Sequence, residues 1–149
     1  MEKIVTFGEI MLRLKSPGHE RLMQSPALEA TFGGGEANVA VTLANFGMQA
    51  SFVTVLPDNA LTDACVRELR GFGVDVSGIV RAGNRMGIYF LETGSNQRPG
   101  KVIYDRAHSA LAEAGLGLIP WGEIFRDAGW FHITGITPAI SAGAAELAL

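Results

Sequence analysis

Short apolar runs of strand length alternate along the chain with segments whose apolar residues recur every three or four positions. In order these are Lys3–Gly8, Gly35–Phe46, Ala50–Leu56, Asn59–Phe72 and, much later, Gly129–Ile133 followed by Ser141–Leu149. Alternation of this kind predicts an α/β fold whose main sheet is largely parallel and covered by helices on its faces. Within Asn59–Phe72, Leu61, Cys65, Leu69 and Phe72 fall on one predicted apolar face, while Asp63, Arg67, Glu68 and Arg70 take the solvated side. Gly71 and Gly73 mark the end of that helix.

Two segments break the alternation. Residues 9–32 and about 85–106 read as extended pieces interrupted by Ser16-Pro17-Gly18 and by Thr93–Gly100, the turn-forming composition of hairpins. They are predicted to lie outside the main sheet, inserted into the α/β core. Met86–Leu91 is apolar enough to associate if left unpaired.

Composition narrows the function classes. The 149 residues carry a formal net charge of −3, which argues against a nucleic-acid surface. No basic segment followed by an apolar run opens the chain, and no apolar stretch approaches the ~18 residues of a membrane span. Cys65 is the only cysteine, so no internal disulfide forms. Its neighbours Ala64, Val66 and Leu69 make it a buried small hydrophobe, and a reduced cytoplasmic compartment is expected.

The richest local feature is Gly33-Gly34-Gly35 running into a helix with Asn38 one turn in. Glycines at a helix start let the backbone approach a bound molecule, and the first N–H groups of the helix are free to donate to it. A dinucleotide fingerprint fails because Asn38 stands where its third glycine belongs, and no Gly-Lys-Ser/Thr ending of a Walker loop occurs. What remains is a di-glycine, two residues, Asn38, then small Ala40 on a helix closing at Gly47. This pattern resembles the first signature of the ribokinase or PfkB family of sugar kinases. Gly8-Glu9, Phe52-Val53, Gly73-Val74-Asp75 and Thr134–Ala139 stand where that family has equivalents, so the resemblance covers essentially the whole chain. Gly87-Ile88-Tyr89-Phe90 and Tyr104-Asp105-Arg106-Ala107 look most like the branch that phosphorylates 2-keto-3-deoxygluconate.

The resemblance implies a ribokinase-like fold, with segments 9–32 and 85–106 forming a β lid over the sugar and pairing with a second lid in a homodimer. It implies ATP and Mg2+ as cofactors and a small sugar acid as substrate, phosphorylated on its 6-hydroxyl. Gly33, Gly34 and Asn38 would hold sugar hydroxyls. A substrate carboxylate asks for the planar fork of an arginine, and Arg106 is the candidate, sharing a strand face with Tyr104. Tyr104 and Tyr89 would each contribute a hydroxyl. Alternatives are a kinase for another sugar such as fructose, or a non-catalytic sugar-binding or assembly module.

Several residues depart from the family pattern. Arg13 stands where an aspartate usually binds sugar hydroxyls, which favours an anionic substrate. Glu36 replaces a small residue, and Pro57, Asn59 and Thr62 replace a Gly-x-Asp loop. His108 takes a position more often glycine; His19 and His132 have no partners at metal-ligand spacing, so surface or structural roles are expected for all three. Trp121 and Trp130 are expected in the core.

Ser141 is placed to cap a helix running through Leu149, with no closing glycine and no strand after it. The sequence is therefore expected to be the N-terminal half of a kinase of about 300 residues. The family's Gly-Ala-Gly-Asp motif, which serves ATP and the catalytic base, is absent. Ala142-Gly143-Ala144-Ala145-Glu146 has the wrong spacing, leaving Glu146 as surface. No catalytic, nucleotide-binding or metal-binding residue is assigned within residues 1–149, and the isolated segment is expected to be inactive.

Overall fold

A computed structural model describes residues 2–149. In chain order the elements are β1 (Lys3–Phe7), β2 (Met11–Lys15), β3 (Glu29–Gly33), α1 (Gly35–Asn45), β4 (Ala50–Leu56), α2 (Ala60–Gly71), β5 (Ile79–Arg81), β6 (Ile88–Glu92), β7 (Lys101–Asp105), α3 (Trp121–Ile124), β8 (Ala128–His132), α4 (Ile136–Ile140) and α5 (Ala142–Leu147). They form two sheets. The main one has the order β5-β4-β1-β8 with every pair parallel, the predicted α/β class. The second has the order β3-β2-β6-β7, two antiparallel hairpins joined by the parallel pair β2–β6.

All seven residues of β4 are buried, as expected of a strand covered on both faces. Alternation sends its side chains two ways. Ala50, Phe52 and Leu56 join Ala37 and Ala40 of α1 and Cys65, Val66 and Leu69 of α2 in one core cluster. Val53 and Val55 join Val5, Phe7, Leu111, Ile124 and Leu147 in the other. Burying each such aliphatic or phenyl side chain stabilises the fold by about 1.5–3 kcal/mol.

In α2 the Asn59 side chain caps the helix by accepting from the Thr62 N–H at 3.1 Å. At the other end Gly73 adopts φ +82° and its N–H bonds the Arg70 carbonyl at 2.9 Å. The buried stripe is Thr62, Cys65, Val66 and Leu69; Leu61 and Phe72, expected on it, are each 47% exposed. Cys65 and Leu69 are common to both stripes, while Thr62 and Val66 take the buried places expected of Leu61 and Phe72. Trp130 also departs from expectation. It lies on the edge strand β8 and is 66% exposed, while its neighbour Phe131 turns inward to meet Trp121 with ring centres 5.8 Å apart. Trp121 does pack in the core, edge-on to Phe7 at 5.1 Å. The last helix ends at Leu147 instead of running through Leu149, and Ser141 caps it through the Ala144 N–H at 3.0 Å. The strand β5 and the helix α4 were not expected.

The long connections of the second sheet are tied to each other. Glu92, buried at the end of β6, accepts from the Leu22 N–H at 3.0 Å and from Arg98 at 2.7 Å, and the Leu22 N–H first, then the Arg98 charge, hold its carboxyl below the usual carboxylate range. Among the described residues no helix is long and apolar enough to cross a membrane.

Burial pushes the Cys65 thiol up to about 12, with the nearby Glu68 carboxylate adding to the effect. A raised thiol pKa means the unfolded chain releases this proton first as pH rises, so stability present below about pH 9 declines through pH 12. Native protein at pH 8 should therefore resist a thiol reagent such as dithionitrobenzoate and react with one equivalent only after denaturation; rapid labelling of the folded chain would contradict this placement.

Candidate functional site

In an open parallel sheet the crevice beyond the carboxyl ends of the strands is where loops of different crossovers meet. Here β1 ends at Phe7, leading to Gly8 and Glu9, and β8 ends at His132, leading to Thr134. The amino end of α1 meets both. Its first-turn residue Glu36 is buried, and its Oε1 accepts from the Thr134 N–H (3.1 Å), the Thr134 hydroxyl (2.7 Å) and the Thr137 hydroxyl (2.7 Å). Three donors on one oxygen hold the loop after β8 against the helix start.

Glu9 forms a second anchor. Its side chain is 3% exposed; Oε2 accepts from Arg106 Nε at 2.7 Å and Nη2 at 2.5 Å, and Oε1 from the Ser109 hydroxyl at 2.5 Å. The segment after β7 is thereby fixed to the end of β1.

The second sheet closes the space above these anchors. Register puts Met11 beside Gly33, Arg13 beside Tyr89, and Tyr89 beside Tyr104, so all of these share one face. Of that face Met11, Gly33, Tyr89 and Tyr104, together with the α1 start, enclose a cavity of about 210 Å³ lined by Gly33, Gly34, Asn38, Tyr89, Tyr104 and Arg106, and also by Glu9, Glu36 and Thr137. The six residues singled out in the sequence thus line one cavity. The Tyr89 and Tyr104 rings are 5.9 Å apart, and the Arg106 guanidinium carbon is 5.7 Å from the centre of the Tyr104 ring.

Three expectations change. Arg106 is not a free cation, because one edge of its fork is occupied by Glu9. Arg13 lies outside the cavity lining; its Nε donates to the Thr31 hydroxyl at 2.7 Å and it borders a separate groove beside α1 and α2. Glu9, Glu36, Ser109, Thr134 and Thr137 were not assigned to the site, although Glu36 stood out as an unusual residue for its position. His108, in turn, has φ +56°, which accounts for glycine's preference at such a position, and its ring meets Glu113 at 2.9 Å on the surface.

The glycines fit by space. A methyl group at Gly33 would lie 2.5 Å from the Tyr89 hydroxyl, and one at Gly34 would overlap the Glu9 carbonyl oxygen. The first obstacle is the end of a side chain and the second is backbone.

A larger open recess of about 780 Å³ adjoins the cavity and shares Arg106 and Ile136 with it. Its other walls are Ala107, Ala112, Ala139 and Ile140 with His108, Glu113, Gly135 and Ser141; the His108 ring and the Glu113 carboxylate are paired with each other, and Ser141 caps the last helix. Polar groups aimed into a concave space make a binding site, so the smaller cavity is the candidate. Its lining offers backbone and amide donors for hydroxyl groups, and a cation with two phenols for an anionic group.

The pfkB family carbohydrate kinase profile matches residues 1–148. The 2-dehydro-3-deoxygalactonokinase of Haloferax volcanii is 40% identical over 139 residues, which cover 93% of this chain and 43% of that protein. The 2-dehydro-3-deoxygluconokinase of Bacillus subtilis is 31% identical, again covering 93% and 43%. Among solved structures, 2-dehydro-3-deoxygluconokinase from Thermotoga maritima superposes with a TM-score of 0.92 at 55% identity, covering 94% of this chain and 43% of that one. The chain spans less than half the length of these relatives.

Because its added methyl group meets backbone, Gly34→Ala should cost about 3 kcal/mol of stability, against about 1 kcal/mol or less for Gly33→Ala, where the Tyr89 hydroxyl can swing away. Urea unfolding of the two variants measures the difference; equal midpoints would contradict the packing described.

Proposed function

We propose, from the premise that this chain belongs to the pfkB family of carbohydrate kinases, that its 210 Å³ cavity binds the acceptor of an ATP-dependent kinase, a 2-keto-3-deoxy sugar acid, in most specific form 2-keto-3-deoxygluconate phosphorylated on its 6-hydroxyl. The observation that carries this reading is that Arg106, Tyr104 and Tyr89 line the same small cavity as Gly33, Gly34 and Asn38. Relatives named for 2-dehydro-3-deoxygluconate and 2-dehydro-3-deoxygalactonate support the substrate class.

In this reading the substrate carboxylate accepts from the free side of the Arg106 fork and from the tyrosine hydroxyls. The sugar hydroxyls meet the Gly34 N–H and the Asn38 amide, which offers both a donor and an acceptor. The second sheet covers the bound sugar and keeps out water, which would otherwise accept the phosphoryl group. Phosphoryl transfer then depends on holding the hydroxyl in line with its donor. ATP supplies the phosphoryl group, and Mg2+ offsets phosphate charge. Glu9 and Glu36 are occupied by their own donors, and among the described residues no group of three His, Cys, Asp or Glu is arranged to hold a metal ion. Nucleotide, metal and catalytic base are assigned to residues outside this sequence, in a cytoplasmic enzyme.

Simple removal of Arg106 would strand the buried Glu9 carboxylate at a cost of about 3–5 kcal/mol, so the informative change is Arg106→Lys, which keeps the charge and loses the fork. In the full-length protein it should lower kcat/KM for the keto acid by about 2 kcal/mol, roughly 30-fold. A neutral sugar tested beside it should lose far less; equal losses would remove Arg106 from the carboxylate role.

The proposal extends to a partner. The face of the second sheet opposite the cavity carries Leu14, Ile88, Phe90 and Ile103, all partly or largely exposed, and we assign it to contact with a second copy of the chain in a homodimer. Replacing Ile88 and Phe90 together by lysine should yield a folded monomer with weakened sugar binding, measured by size-exclusion chromatography with light scattering. An unchanged oligomer would refute the lid contact.

A further inference from the structure

We infer that Glu9 is a positioning residue for anion recognition: it fixes the Arg106 guanidinium in the cavity before ligand arrives, and the selectivity of the site for a carboxylate over its uncharged analogue depends on it. This rests on the reading of the cavity as a site for an anionic sugar.

Glu9 is held rigidly. It follows β1, which is flanked on both sides in the parallel sheet and is buried over its last three residues. Its carboxylate has no freedom left. Oε2 takes the Nε and Nη2 edge of Arg106, and Oε1 takes the Ser109 hydroxyl. Ser109 is itself fixed, being 1% exposed, with its oxygen accepting from the Ala112 N–H at 3.3 Å, which leaves its proton for Glu9. Even the floor is fitted, since a methyl group at Gly87 would lie 3.0 Å from Glu9 Oε1.

A guanidinium presents two edges to carboxylates. Glu9 occupies the edge that includes Nε, so the edge that includes Nη1 is the one left for a ligand. An arginine on an exposed strand end would otherwise sample many rotamers and lose that freedom on binding. Arg106 follows β7, every residue of which is exposed, and the one ring of that strand near its guanidinium, Tyr104 at 5.7 Å, is itself 60% exposed. The salt bridge to Glu9 therefore supplies the buried anchor that its own strand lacks. Glu9 also carries a charge next to the site, and its removal would raise the local positive potential. Positioning and charge thus predict opposite effects on anion binding, which makes the inference testable.

The test is isothermal titration of the full-length protein with 2-keto-3-deoxygluconate and with its methyl ester, which keeps the sugar framework, adds one methyl group and carries no charge. Glu9→Ala should weaken binding of the acid by roughly tenfold to a hundredfold, the range for losing a hydrogen bond to a charged group, while the ester changes far less. Glu9→Gln, which keeps an acceptor for Arg106, should restore acid binding to near the original. Should the alanine variant fail to fold, Glu9→Asp, which withdraws the carboxylate by one methylene, should lose the same selectivity. Tighter acid binding in the alanine variant would overturn the inference and make Glu9 a mere competitor; equal losses for acid and ester would reduce it to a structural residue. Arg106→Lys provides the separation from the underlying reading. If it leaves acid and ester binding in their original ratio, the anionic site itself is wrong; if it lowers the ratio while Glu9→Ala does not, only the positioning role fails.

Discussion

Two carboxylates withdrawn from water hold the site together. Glu9 and Glu36 lie at the carboxyl end of β1 and the amino end of α1, and both are buried. Burying a carboxylate is unfavourable unless donors replace its lost water, and here the donors come from segments 97 to 101 residues further along the chain. The chain can satisfy these groups only by folding the end of β7 and the loop after β8 onto β1 and α1. Those are the segments that line the cavity. The requirement to solvate two buried charges and the requirement to assemble a binding site therefore have a common solution.

The second sheet depends on that solution. Both of its hairpins project from the main α/β layer, and their cavity face is aligned by the parallel pairing of β2 with β6. Met11 and Gly33 stand on one hairpin, Tyr89 and Tyr104 on the other. The fit of Gly33 beneath the Tyr89 hydroxyl and of Gly34 beside the Glu9 carbonyl needs the hairpins, the first strand and the helix start to be in register at once. This accounts for glycines at two positions where a turn alone would require fewer.

Much of this was legible in the sequence because its signals are local. The seven-residue apolar run of β4 and the periodicity of α2 indicated a parallel sheet with helical cover, and Gly33, Gly34 and Asn38 lie within six residues of one another. Tyr89, Tyr104 and Arg106 were legible only through family resemblance. β5 escaped notice because three residues do not establish a period, and α4 because Pro138 lies within its five residues. Leu61, Phe72 and Trp130 were misassigned for one reason: hydrophobicity says that a side chain prefers burial, not which way its element faces. The partnership of Glu9 with Arg106 was not legible at all. A glutamate and an arginine 97 positions apart carry no local mark of the contact, and only the fold reveals that a residue chosen for its positive charge is already paired.

The central claim is that this cavity receives the carboxylate of a sugar acid on the unoccupied edge of Arg106. A crystal structure of the full-length protein with 2-keto-3-deoxygluconate bound tests it most directly. The account predicts the ligand carboxylate within hydrogen-bonding distance of Arg106 Nη1, roughly 2.7–2.9 Å, with Glu9 still on the opposite edge and Asn38 on a sugar hydroxyl. A ligand whose carboxylate lies away from Arg106, or one bound outside the space between Gly34 and Tyr104, would contradict it.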